Sequence, residues 1–103
     1  MDAAARAVAE PTRREILHLV RHDERMVSDI AEHFDITRPA ISQHLRVLSD
    51  AGLLTVTPAG NRRIYAIAPE GVDQLRRYLD TLWDDALSAF ARAANDQAKG
   101  QAK

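Results

Sequence analysis

Arg38, Ser42 and Arg46 recur every four residues, and Gln43 stands beside them. On a helix this spacing gathers two guanidinium groups, a hydroxyl and an amide on one face. Ile41, Leu45 and Leu48 form an apolar row on the other side of the same segment. A short helix with such an outer face fits the major groove of DNA. There the Gln43 amide has the geometry to read adenine, and Arg46 could read guanine or hold a phosphate. Thr37 and Arg38 stand at the start of this helix, where phosphate contact is expected. A solvated helix carries a similar face, so the neighbouring elements decide between the two readings.

Other chemistry is sparse. Ser42 and His44 are two residues apart and do not share a helix face. The chain shows no nucleophile–base arrangement and no phosphate loop, and it has no cysteine. No catalytic residue and no cofactor is therefore expected. His18 and His22 stand four apart, a spacing that shares a helix face and binds metals when further ligands complete the shell. Asp23 or Glu24 could supply a third ligand, but no supporting cluster accompanies them, so no metal site is assigned. His44 is expected to be packed or to lie close to DNA. The absence of cysteine fits a cytoplasmic protein. No apolar run approaches the roughly 20 residues of a membrane helix, and the N-terminus lacks a secretory signal.

The elements that must position the polar face can be read from periodicity. Residues 3–9 are alanine-rich and predict a first helix ending before Pro11. Pro11 suits the first turn of a second helix, with Ile16, Leu17 and Val20 at helical spacing. Val27, Ile30, Ala31 and Phe34 predict a third helix. Asp35 makes a turn and Ile36 returns to the core. Thr37 caps the fourth helix, Pro39 sits in its first turn, and Gly52 ends it. Leu54 and Val56, then Ile64, Ala66 and Ala68, alternate as half-buried strands around a Gly60-Asn61 turn. Arg62 and Arg63 lie near the tip of this hairpin. Pro69 opens a last helix, apolar at Val72, Leu75, Leu79, Leu82, Trp83, Ala86 and Phe90.

Two short helices joined by so brief a turn form a helix-turn-helix, and the arginine-tipped hairpin forms its wing. The fold class is mainly α with a small β-hairpin, a winged helix-turn-helix in the order α-α-α-α-β-β-α. Arg62 and Arg63 would contact phosphates or a narrow minor groove. The 103 residues make one domain over 1–94, followed by a flexible tail over 95–103.

Net charge is −1 over the chain, but its distribution is uneven. Residues 36–68 hold Arg38, Arg46, Arg62 and Arg63 against Asp50 alone. Residues 69–90 hold Arg76 and Arg77 against Glu70, Asp73, Asp80, Asp84 and Asp85. A basic face opposite an acidic one suits a nucleic-acid partner on one side.

Three stretches, EPTRREIL at 10–17, RPAISQHLRVLSDAGLL at 38–54 and GNRRIYAIAPEGVDQL at 60–75, resemble the ArsR family of bacterial winged-helix repressors. The resemblance spans roughly residues 5–90 and implies a homodimeric repressor on an imperfect palindromic operator. It places Ser42, Gln43 and Arg46 at the family's exposed recognition-helix positions. Members of this family commonly release DNA on a metal or another signal. Metal-sensing members commonly carry a Cys-x-Cys set on the third helix, or Asp and His ligands on the last. Here the third helix reads VSDIAEHF, and the last helix has aspartates but no histidine.

The apolar stripe of the last helix is longer than one small domain needs. It predicts a dimer interface of Leu75, Leu79, Leu82, Trp83 and Phe90, with Ala4 and Val8 of the first helix packing close because they are small. The expected activity is therefore sequence-specific DNA binding in transcription regulation, probing DNA with Thr37, Arg38, Ser42, Gln43, Arg46, Arg62 and Arg63. The alternatives are a winged-helix protein-interaction module without DNA binding, and a metal-responsive repressor with a site free of cysteine.

Overall fold

A computed structural model describes the backbone of residues 2–101 and the side-chain surroundings of residues 2–97. The alanine-rich start forms α1, Asp2–Val8, and after a two-residue break Pro11 opens α2, Pro11–Val20. Glu10 is extended, and its carboxylate accepts from the Arg13 amide at 3.0 Å. That bond satisfies one of the donors every helix start leaves free, while Pro11 removes another. Ile16 and Val20 bury the inner face of α2.

α2 stops at Val20 with Arg21 as its C-cap. His22 therefore lies beyond the helix, and the shared face expected for His18 and His22 does not form. The chain bends and enters β1, Arg25–Met26, which leads directly into α3, Val27–Ala31. Two residues are too short to show strand alternation, so β1 escaped the reading from sequence.

α3 is shorter than the stripe through Phe34 predicted. The amides of His33 and Phe34 donate to Ile30 and Ala31 carbonyls at 3.0 and 3.2 Å. These i to i−3 bonds wind the chain out of the helix. Phe34 still packs on the core, but Ile36, expected there, is 43% exposed. Phe34 and Ile41 fill the core on either side of it.

α4 spans Arg38–Asp50 behind an extended Thr37, whose hydroxyl oxygen accepts from the Ala40 amide at 3.3 Å. Ile41, Leu45 and Leu48 are fully buried, as their spacing requires. The helix ends in a Schellman motif at Gly52, whose φ is +80°. The Gly52 amide donates to Ser49 and the Leu53 amide to Leu48, both at 3.0 Å. Leu48 and Leu53 are both buried, which is the apolar contact this motif favours.

β2, Leu54–Ala59, and β3, Arg62–Ile67, form the hairpin, and the antiparallel sheet runs β1-β3-β2. Ala59 pairs with Arg62 across Gly60 and Asn61. Only Gly60, at φ +64°, is left-handed here, as a type II′ turn asks of its first central residue. The pairing puts Leu54, Val56, Arg63, Tyr65 and Ile67 on one face. Tyr65 is the buried residue of β3, so the expected inward row of Ile64, Ala66 and Ala68 is out of phase by one residue. Pairing with Arg25 of β1 and Val56 of β2 sets that phase.

α5 spans Pro69–Gln101. Its first turns dock on the body through Val72 and Leu75. Gly71 lies against the end of α4 so closely that a Cβ there would overlap the Gly52 carbonyl. Beyond Leu75 the helix leaves the body. The molecule measures 73 × 27 × 22 Å, with a radius of gyration of 19.5 Å. A compact domain of this size would give about 13 Å. The helix carries on through residues 95–101 of the tail expected to be flexible, where alanine, glutamine and lysine favour helix. Residues 102 and 103 lie outside the described residues.

Candidate nucleic-acid interface

The inner row of α4 is anchored in the core, so the opposite face must point outward. Arg38, Ser42, Gln43 and Arg46 are all exposed on it. Facing them across an open groove stands the hairpin, with Val56, Arg63 and Tyr65 on the groove side. Ser42, Gln43 and Arg46 form the helical wall. A smaller cleft adjoins it, bordered by Arg38, Ser42, Asn61, Arg62 and Arg63. Ser42 and Arg63 border both, so the two make one continuous polar and cationic surface.

Arg62 and Arg63 are adjacent yet point to opposite sheet faces, as strand alternation demands. Arg63 shares the face of Tyr65, toward α4. Arg62 instead lies on the Ile64 side, with its Nη1 3.7 Å from the Met26 sulfur of β1. Thr37 stands at the head of α4 with its hydroxyl oxygen occupied by the cap. The structure thus brings together six of the seven residues singled out for DNA contact and holds Thr37 at their edge.

Three of the four arginines on this surface are uncompensated, and Asp50 borders the groove beside the fourth. Among the described residues, Arg38, Arg62 and Arg63 have no carboxylate partner within ion-pair distance. Arg46 Nε is 3.9 Å from Asp50, but both side chains are exposed. Such a pair contributes little and releases Arg46 readily to a phosphate or base. By contrast Arg76 and Arg77 on α5 both pair with Asp73 at 2.9 Å, so neither stands without a carboxylate partner.

His44 points away from the groove. Its Nδ1 lies 3.4 Å from Arg13 Nη1 and 3.9 Å from the Glu10 carboxylate, so it packs against the head of α2. Burial raises the Glu10 carboxyl pKa, but hydrogen bonds from the Arg13 and Thr12 amides and the neighbouring imidazole outweigh it. The net result lies below the usual glutamate value. Sequence reasoning did not single out Arg13 or Glu10 for this junction, because only the tertiary fold brings residue 44 to residue 13. It also missed Tyr65, which the strand alternation could have revealed had β3 been phased from its partner.

His18 Nδ1 lies 3.3 Å from Arg21 Nη1. Among the described residues, no three histidine, cysteine, aspartate or glutamate side chains gather where they could hold a metal ion. Of the residues expected at a dimer interface, Ala4 and Leu75 lie in the protomer's own core at 7% and 9% exposure, and Val8 packs against it. Leu79, Leu82, Trp83 and Phe90 are exposed, joined by Tyr78 and Leu87. No helix among the described residues is long and apolar enough to cross a membrane.

Comparison with known proteins agrees with this architecture. Residues 10–56, from the cap of α2 into the wing, match the model of the bacterial regulatory protein, arsR family. The chain is 40% identical over 96 residues to the HTH-type transcriptional regulator Rv2034 of Mycobacterium tuberculosis, covering 93% of this chain and 90% of that protein. It is 37% identical to the transcriptional repressor SdpR of Bacillus subtilis, covering 65% and 74%. Among solved structures it is similar to the homodimeric winged helix-turn-helix DNA-binding domain of Mb0332 from Mycobacterium bovis. That match has a TM-score of 0.66 and 30% identity, and covers 82% of this chain and 78% of that one. A winged fold and relatives that match across most of their own length leave one assignment: this chain is a transcriptional regulator, not an enzyme, and belongs to the arsR family of bacterial regulatory proteins.

Proposed function

We propose that the protein is a homodimeric repressor that binds a two-fold, imperfectly palindromic DNA operator. Each α4 enters a major groove, and each wing lies along the flanking backbone. Ser42, Gln43 and Arg46 read base edges, while Thr37, Arg38, Arg62 and Arg63 hold phosphates. The observation that carries the reading is the groove itself. Gln43, Arg46 and Arg63 face one open surface on which three arginines lack carboxylate partners. An ordinary solvated helix face has no reason to stand opposite an arginine-bearing hairpin with its charge uncompensated.

Pairing of two protomers is supported by the exposed apolar side of α5 and by the homodimeric assembly of the Mb0332 domain. Repression is supported by the likeness to SdpR. A two-fold dimer places its recognition helices one helical turn of DNA apart, about 34–36 Å.

The test is selection from a random-sequence duplex pool, followed by footprinting of the recovered DNA. The recovered sequences should contain an inverted repeat with half-sites about one turn apart. Gln43→Ala and Arg46→Ala should each weaken binding by roughly 10- to 100-fold, since a good bidentate pair discriminates by about 1–3 kcal/mol. Both variants should remain folded dimers. Wild-type affinity in both would remove α4 from the reading.

A further inference from the structure

Three parts of the chain meet at the back of α4. The Arg13 guanidinium donates through Nε to the Ala7 carbonyl at 2.7 Å and through Nη2 to the Arg6 carbonyl at 3.4 Å. Both carbonyls lie in the last turn of α1: that of Arg6 also accepts the Ala9 amide at 3.2 Å, while that of Ala7 has no further helical turn to satisfy it. Through Nη1 the same group reaches Nδ1 of His44 on α4, at 3.4 Å. In its neutral form the imidazole accepts there and carries its own proton on Nε2. Glu10, the cap of α2, stands 3.9 Å from the same Nδ1 and accepts the Arg13 amide. One planar fork of five N–H donors thus serves α1 and α4 together, which a lysine ammonium does not match.

The location matters because α1 also belongs to the α5 side of the molecule. Ala4 and Ala7 share a buried cluster with Leu75 of α5 and with Ile41, Leu45 and Leu48 of α4. We propose that Arg13 is a positioning residue for DNA reading: by tying the end of α1 to His44, it fixes how each recognition helix sits relative to the paired α1 and α5 helices. It touches no DNA itself. This inference rests on the homodimeric reading above. A dimer must present two α4 helices at a fixed separation, and a protomer engaging one half-site need not.

The experiment measures affinity for the duplex recovered by the wild type and for the same duplex with one half-site scrambled. His44→Asn keeps an acceptor near the Nδ1 position, whereas His44→Leu fills the space without one. His44→Leu should lose about 10-fold on the full site and stay within about 2-fold of wild type on the scrambled one, within the span of coupling energies such networks carry. His44→Asn should remain close to wild type on both. Arg13→Lys keeps the charge without the fork. It should repeat the selective full-site loss while sedimenting as a dimer, which holds the test open if His44→Leu does not fold. Equal loss on both duplexes would overturn the proposal, as would equal weakening by His44→Asn and His44→Leu or wild-type affinity in Arg13→Lys. Recovery of no duplex by the wild type would instead strike the DNA-binding reading, and this inference with it.

Discussion

Trp83 is the only tryptophan of the chain and lies 65% exposed on the free part of α5. Its replacement by alanine measures what that face does. A fully buried indole removes about 150–250 Å² from water, so the exposed share here is roughly 130 Å². At about 25 cal/mol per Å², covering it contributes about 3 kcal/mol per protomer, or about 6 kcal/mol in a two-fold dimer. The alanine methyl retains part of this, and a side chain at the seam's edge is only partly covered. Half of the upper figure, about 3 kcal/mol, weakens the dimer roughly 100-fold. The protomer itself should be nearly unaffected, because the side chain packs on none of its core. Sedimentation equilibrium measures the dissociation constant of Trp83→Ala. A dilution series of the wild type follows the same event by fluorescence, since the single indole should shift to shorter wavelength on pairing. A wild-type dissociation constant in the variant would refute this reasoning. So would emission typical of a solvated indole at concentrations where the protein sediments as a dimer.

Other expectations concern the seams and the wing. Gly71→Ala should destabilise the fold by about 1–3 kcal/mol or more in chemical denaturation, because the new Cβ has backbone, not a movable side chain, in its place. A neutral outcome would mean α5 does not dock at the end of α4 as described. Arg62→Ala and Arg63→Ala should each lower the salt dependence of DNA binding by about 0.9 in log–log slope for every phosphate no longer neutralised. An unchanged slope would take the wing out of the interface. Glu10 has a depressed folded pKa, so its cap stabilises the fold above the ordinary glutamate range and weakens as pH falls through the folded value. Glu10→Gln should therefore flatten the loss of stability on acidification, and a wild-type acid profile would show that the cap carries no such linkage.

Much of α4 was legible because its signals are local. Thr37, Pro39 and Gly52 mark its two ends by backbone chemistry alone, and Ile41, Leu45 and Leu48 fix its buried side by period. The polar face then follows as what remains. Segments whose shape depends on distant partners were read less well. Val27 to Phe34 carries a clean helical period, yet the helix ends at Ala31 and the chain tightens before Phe34 reaches the core. Arg25 and Met26 form a strand only because β3 lies beside them. In β3 both phases present apolar residues, and the choice of Tyr65 over Ile64 was made by its neighbours across the sheet.

The sequence by itself determined the order of the helices, the hairpin turn at Gly60-Asn61 and the polar set on α4. Caps, turns and apolar periods act within a few residues, so their physics is complete in the chain. Tertiary structure alone decided that Arg63 faces Gln43 and Arg46 while Arg62 turns to Met26, and that His44 serves Arg13 rather than the groove. It also separated Ala4 and Leu75, which the protomer buries for itself, from Leu79, Leu82, Trp83 and Phe90, which it leaves exposed. Helical spacing marks a stripe as apolar. Where α5 leaves the body determines which part of that stripe is left for a partner.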